Sequence, residues 1–199
     1  LCDERLWGDL PAALAPRAVQ HALPTQAATL PELAAGVLAV APERFALAGL
    51  SLGGIVAMEV LAQAPDRVER LALLDTNPLA ETETIRQRRL GQIERALAGD
   101  LQGIVRDEMK PQYLADPGNR PVLDLCMAMA RRLGPEVFRR QSLALRDRPD
   151  QSATLARYRK PTLILMGEQD RLCPRDRHDR MHALMPHARL VIIPAAGHL

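Results

Sequence analysis

An α/β fold, a mostly parallel sheet flanked by helices with a helical cap inserted into it, is what the sequence predicts, on three observations. Apolar runs of strand length recur at Phe45–Leu50, Val68–Leu74, Pro161–Gly167 and Ala188–Ile193, each short and closed by turn residues. The first two are joined by one apolar segment of helix length, and a strand, helix and strand with so short a return imply a right-handed parallel crossover. From Leu79 to Lys160 strand-like runs disappear, and arginines and acids alternate with Leu, Ile and Met at helical spacing. Residues 1–78 and 161–199 are therefore expected to form the core, and 79–160 the cap.

In chain order, Leu10–Leu14 reads as a short helix, Arg17–His21 as a short strand and Leu23–Thr29 as a loop. Leu30–Ala41 reads as a helix, with Pro31 tolerated in its first turn. The helix from Gly54 to Gln63 stops at Ala64-Pro65-Asp66, and the second strand ends at Asp75-Thr76-Asn77-Pro78. Within the insertion, helices are expected near 82–98, 100–114, 119–133 and 135–148, punctuated by Gly99, Pro117-Gly118 and Gly134-Pro135. The strand pattern then returns and closes on Glu168-Gln169-Asp170. Arg175–Met185 reads as a helix ended by Pro186, and the last strand leads into Pro194-Ala195-Ala196-Gly197-His198.

At 199 residues the chain suits one domain with an insertion and is too short for two independent enzymes. A hydrophobic content of 47%, 25% charge and a net charge of +2 are ordinary for a globular protein and give no general case for nucleic acid as partner. The three cysteines, Cys2, Cys126 and Cys173, are odd in number and widely spaced. That fits neither a disulfide framework nor a metal knuckle, and points to a reducing cytoplasm. No run of about 18 apolar residues marks a membrane span, and nothing at the start resembles a signal peptide. Because the chain opens on Leu1 and stops at Leu199 inside an apparent motif, both ends of a longer chain are expected to be missing.

Chemistry is concentrated first in Gly49-Leu50-Ser51-Leu52-Gly53. A Gly-x-Ser-x-Gly turn squeezed between a strand and a helix leaves the serine alone at the tip, forces it toward an unfavourable backbone conformation and requires small residues on either side. Gly49 and Gly53 meet that requirement. The helix that follows aims its first amides at the turn, so the Leu52 N–H can hold an oxyanion formed when Ser51 attacks a carbonyl.

The order of groups along the chain, a serine elbow, an acid after a later strand and a histidine after the last strand, resembles the α/β-hydrolase family. The matching stretches are Phe45–Gly54, Val68–Pro78, Pro161–Asp170 and Val191–His198. By that resemblance Ser51 is the nucleophile, His198 the general base and Asp170 the acid that orients it. The imidazole is needed because a free serine hydroxyl is a poor nucleophile; the carboxylate fixes the ring's tautomer and stabilises the imidazolium. Asp75 is a rival for the acid, since some family members draw it from the strand after the elbow, although a turn residue is its plainer reading. Glu168 reads as a surface neighbour. Family members also carry a His-Gly or similar turn whose amide completes the oxyanion hole, and it is expected just before Leu1.

The remaining candidates read as structural. His178 and His182 are four apart on a helix with His187 close behind, yet no zinc-protease glutamate accompanies them, so they read as exposed helix and no metal is assigned. His21 has no evident partner, and Cys173 reads as a small apolar filler. The expected function is thus a serine hydrolase acting on an ester or related small-molecule acyl substrate, without metal or organic cofactor, nucleic acid or membrane. The resemblance spans several reactions. Residues 131–160 carry nine Arg or Lys against three acids, which reads first as a solvated face. The same charge makes an ester on an acidic carrier protein, docked at the cap, one alternative. A non-catalytic binding protein of the same fold is the other.

Overall fold

The computed structural model describes residues 1–17 and 19–199. In chain order it contains α1 (Leu10–Ala13), α2 (Leu30–Val40), β1 (Phe45–Leu50), α3 (Leu52–Gln63) and β2 (Val68–Leu74). Next come α4 (Glu83–Arg95), the single turn α5 (Leu101–Gly103), α6 (Arg120–Arg146), α7 (Ser152–Arg157), β3 (Thr162–Gly167), α8 (Arg175–Leu184) and β4 (Arg189–Ile193). The strand expected over Arg17–His21 does not form: Arg17 lies in a bend, Val19–His21 are irregular, and Ala18 is outside the described residues. All four of those described side chains are exposed, so no buried face is available to hold a strand.

The four strands are parallel and lie side by side in chain order. Leu47 stands opposite Leu71, Leu73 opposite Ile164 and Leu165 opposite Val191. This alignment brings the C-terminal ends of β1, β2 and β3 to one edge, the edge where open α/β sheets place their sites. Helix α3 is apolar on almost every side, and such a helix must be enclosed. It packs on β1 and β2 from one side and meets α2 and α7 on the others, so every residue from Gly54 to Leu61 is buried. Met58, Val60, Leu61, Leu73, Ile164, Met181 and Met185 fill this core, each side chain contributing roughly 1.5–3 kcal/mol by leaving water. The one acid in that stretch, Glu59, accepts from Gln151 Nε2 at 2.7 Å and Gln63 Nε2 at 3.0 Å, which satisfies its buried carboxylate.

All the regular structure between β2 and β3 is helical. Gly99 at φ 104° and Gly134 at φ 77° break it where punctuation is expected, because only glycine adopts such values without strain. Gly134 divides α6 into two arms, with Pro135 opening the second. This segment has its own apolar clusters. One gathers Ile93, Leu101, Ile104, Val105 and Phe138. The other gathers Tyr113, Leu114, Leu123, Cys126 and Met129, and takes in Cys2, Leu6 and Leu199 from the two ends of the chain. No helix among the described residues is long and apolar enough to cross a membrane.

Candidate active site

Ser51 stands between β1 and α3 at φ 52°, ψ −116°, outside the regions open to most residues. Its strain is held by a ring of main-chain bonds. The Ser51 N–H donates to the Leu74 carbonyl at 2.9 Å, and the Ser51 carbonyl accepts from Gly54 N–H at 3.0 Å, Ile55 N–H at 3.2 Å and Thr76 Oγ1 at 2.8 Å. The glycine requirement falls differently from the sequence reading. A Cβ on Gly49 would collide with the Gly53 carbonyl and lie 2.6 Å from the Gly54 nitrogen, and one on Gly54 would lie 2.6 Å from Thr76 Cγ2, whereas a Cβ on Gly53 meets nothing within 4 Å. Gly53 is approached through its backbone, so Gly49 and Gly54 are the pair that must stay small. Leu52 is the first residue of α3, where an amide has no partner within the helix and faces the turn.

Asp170 follows β3 and is buried. One oxygen, Oδ1, accepts the Leu172 and Cys173 amides at 2.8 and 3.0 Å. The other, Oδ2, meets Nδ1 of the buried His198 at 2.9 Å. Burial works to raise the Asp170 carboxyl, but the His198 hydrogen bond and charge and the two amides outweigh it and hold the group below the usual carboxylate range. The structure thus brings Asp170 and His198 together. Ser51 Oγ has no hydrogen-bond partner among the described residues, so its link to His198 is not made in this structure.

The loop that carries His198 is fixed from two directions. Gln169 N–H donates to the Ala196 carbonyl at 2.8 Å, and a Cβ on Gly167 would strike the Gly197 carbonyl, so β3 must end on glycine for this loop to come close. From the helical segment, the Tyr113 carbonyl accepts the His198 and Leu199 amides at 2.7 and 2.9 Å, and the Tyr113 ring lies 6.3 Å from the imidazole, 22° from parallel. Tyr113 was not evident from the sequence, since its contribution is a main-chain oxygen.

Asp75 is more than a turn residue. It is buried, its Oδ1 accepts the Gly167 N–H at 2.8 Å, and burial, with the Asp170 charge adding, pushes its carboxyl up to about 7. The Cys173 thiol is pushed up to about 12 by burial and by Asp170, and it accepts from Asn77 Nδ2 at 3.7 Å. Asp170, Cys173 and His198 have donor atoms within 4.8 Å of one another, the one cluster of metal-ligating types so placed among the described residues. Glu168 is exposed and accepts the Ala195 amide at 3.2 Å.

The expectation that His178 is exposed is overturned. It is fully buried, with Nδ1 3.3 Å from the Pro174 carbonyl and Nε2 without a partner among the described residues, and burial lowers its pKa. Its spacing from the buried Met181 and Met185 put it on the inner face of α8, a signal that was present in the sequence. His182 is half-buried and His187 exposed, so the three do not converge. His21 is exposed.

A sequence profile described as the alpha/beta hydrolase family matches residues 5–199. The chain is 30% identical over 174 residues to a pimeloyl-[acyl-carrier protein] methyl ester esterase of Aliivibrio salmonicida (strain LFI1238), covering 84% of this chain and 66% of that protein. It is 32% identical over 168 residues to a dihydrolipoyllysine-residue acetyltransferase component of an acetoin cleaving system from Pseudomonas putida, covering 77% of this chain and 40% of the relative. It thus spans less than two thirds of either. Among solved structures, a thermophilic esterase from Thermogutta terrifontis superposes with a TM-score of 0.87 at 25% identity, over 99% of this chain and 79% of the other.

Proposed function

The chain belongs to the alpha/beta hydrolase family, and from that premise we propose that it hydrolyses carboxylic esters through Ser51, His198 and Asp170. The observation that carries this reading is the 2.9 Å contact between His198 Nδ1 and Asp170 Oδ2, formed at the strand edge where Ser51 is held in a strained turn. In the first step Ser51 Oγ attacks the acyl carbon while His198 Nε2 takes its proton and Asp170 stabilises the imidazolium. The Leu52 N–H donates to the oxyanion. Collapse breaks the ester C–O bond, and the proton on His198 leaves with the alcohol. Water then attacks the acyl-enzyme, again giving a proton to His198, and the acid departs as Ser51 regains its hydrogen.

Residues 79–160 are assigned as a cap over this site. Leu, Met and Ile side chains of the cap suit a small or medium apolar acyl group. The test is labelling with a fluorophosphonate together with an ester panel. The protein is expected to label at Ser51, and Ser51→Ala to lose label and at least about a thousandfold in kcat/KM. Unchanged hydrolysis by Ser51→Ala would sink the proposal, and a wild-type protein that neither labels nor hydrolyses any ester would favour a binding protein of the same fold.

A second reading, in which the ester is borne by an acidic carrier protein, draws on the similarity to a pimeloyl-[acyl-carrier protein] methyl ester esterase. Of the nine cations in 131–160, seven are tied to protein groups, for example Arg132 to Asp3 and Glu4, Arg140 to the Thr25 carbonyl and Arg148 to Glu81. Arg131 and Arg157 are exposed and have no such bond among the described residues, so they are the cations free to meet a partner. On this reading Arg131→Glu raises KM for a carrier-bound ester and leaves a free ester unaffected; equal effects on both substrates would count against it.

A further inference from the structure

The two residues that follow β2 touch both halves of the site. Thr76 is fully buried and donates to the Ser51 carbonyl at 2.8 Å. Asp75, 5% exposed and at φ 43°, donates its amide to the Leu165 carbonyl at 2.9 Å and accepts the Gly167 amide on Oδ1 at 2.8 Å. Gly167 ties it to Asp170, whose own amide donates to the Gly167 carbonyl at 3.1 Å, and the Asp170 charge acts on the Asp75 carboxyl. Two buried carboxylates held on the same glycine, each within range of the other's charge, are not both ionised. The donors around them decide which one keeps a proton. Asp170 receives the Leu172 amide, the Cys173 amide and the His198 ring, while Asp75 receives only the Gly167 amide among the described residues. The negative charge therefore belongs on Asp170. A carboxylate offers about four lone-pair sites, and three of those on Asp170 are filled.

We propose that Asp75 is a positioning residue of the relay: a neutral carboxyl whose free oxygen carries a proton donated to Asp170, while Oδ1 keeps the Gly167 N–H. Asp170 is then held by amides on one side and by Asp75 on the other, leaving it one direction in which to face His198. The inference rests on the reading of Asp170 and His198 as catalytic partners. The groups facing Asp75 are Asp170 and Cys173 from the turn after β3 and His198 from the loop after β4. Burial, with the Asp170 charge adding, keeps the Asp75 proton bound up to about 7. Above that, loss of the proton removes the donor and sets a second negative charge beside Asp170.

Infrared difference spectroscopy across pH tests the pairing without reference to activity. The wild-type protein is expected to lose one buried carboxylic-acid C=O band as pH rises through about 7, and Asp75→Asn to lack that band; a wild-type protein without it, or an asparagine variant that keeps it, overturns the proposal. Kinetics test the role. Asp75→Ala, which removes both contacts, should lower kcat about tenfold to a hundredfold with little change in KM, and Asp75→Asn, a permanent donor, should restore it to within about threefold. An alanine variant with wild-type kcat overturns the role, and if that variant fails to fold, the band and the asparagine variant decide. Absence of fluorophosphonate label at Ser51 in the wild-type protein would overturn the esterase reading instead, with the band still deciding the pairing.

Discussion

The main-chain oxygen of Tyr113 accepts the amide of His198 at 2.7 Å, and that of Leu199 at 2.9 Å as well. A histidine that follows the last strand is thereby held by a segment inserted between two earlier ones. The fit is tight enough to constrain sequence: a Cβ on Gly197 would lie 2.5 Å from the Ala115 nitrogen and 2.7 Å from the Tyr113 oxygen.

Gly197→Ala should push the His198 loop off Tyr113. Overpacking of this kind costs about 1–3 kcal/mol, so kcat/KM for an ester should fall about tenfold or more, with far-UV circular dichroism unchanged. Wild-type activity in this variant would show that the Tyr113 contact does not position the histidine.

Ser51 pays for its place at the elbow with a φ of 52°. Glycine adopts such a conformation freely and alanine does not, so Ser51→Gly should be more stable than Ser51→Ala by about 1 kcal/mol. Both variants should be inactive. Urea denaturation compares them, and equal stabilities would show that the turn is unstrained.

Asp170→Asn preserves the shape of the site and removes the charge that faces His198 at 2.9 Å. The expected loss is about 10³–10⁴ in kcat, with the fold intact. A loss of less than about tenfold would transfer the acid's role to Asp75.

The raised pKa of Asp75 makes stability depend on pH with a defined sign. Its folded value, about 7, exceeds the ordinary 3.8, so the folded state binds the extra proton, and the stability it confers is present at acid pH and lost as pH rises from about 4 to about 7. Asp170 has the opposite sign. Its folded pKa is depressed, so its contribution is present above the ordinary carboxylate value and lost only as pH falls below it, outside that window. Asp75→Asn should therefore gain stability relative to wild type between pH about 4 and about 7, by a few kcal/mol at most. Parallel unfolding curves for the two proteins at the two pH values would contradict the shift.

The fold class, the four strands, the breaks at Gly99 and Gly134 and the identity of Ser51, Asp170 and His198 as candidates were legible in the sequence. Each rests on local information: apolar run length, glycine and proline punctuation, and the order of chemical groups along the chain. What the sequence could not decide depends on contacts between segments far apart in it. Residues 17–21 carry a plausible strand pattern, but Arg17 and Val19–His21 find no buried face. His178 is a different case, because its spacing from Met181 and Met185 is a local signal that already marks the buried face of α8. Gly53 and Gly54 are indistinguishable as letters; only the approach of Thr76 from the end of β2 makes Gly54 the constrained one. Asp75 read as a turn residue or as a rival to Asp170, and the tertiary structure makes it a neighbour of Asp170. Parallel register aligns the ends of β2 and β3, and burial then makes two carboxyls share what one alone would ionise.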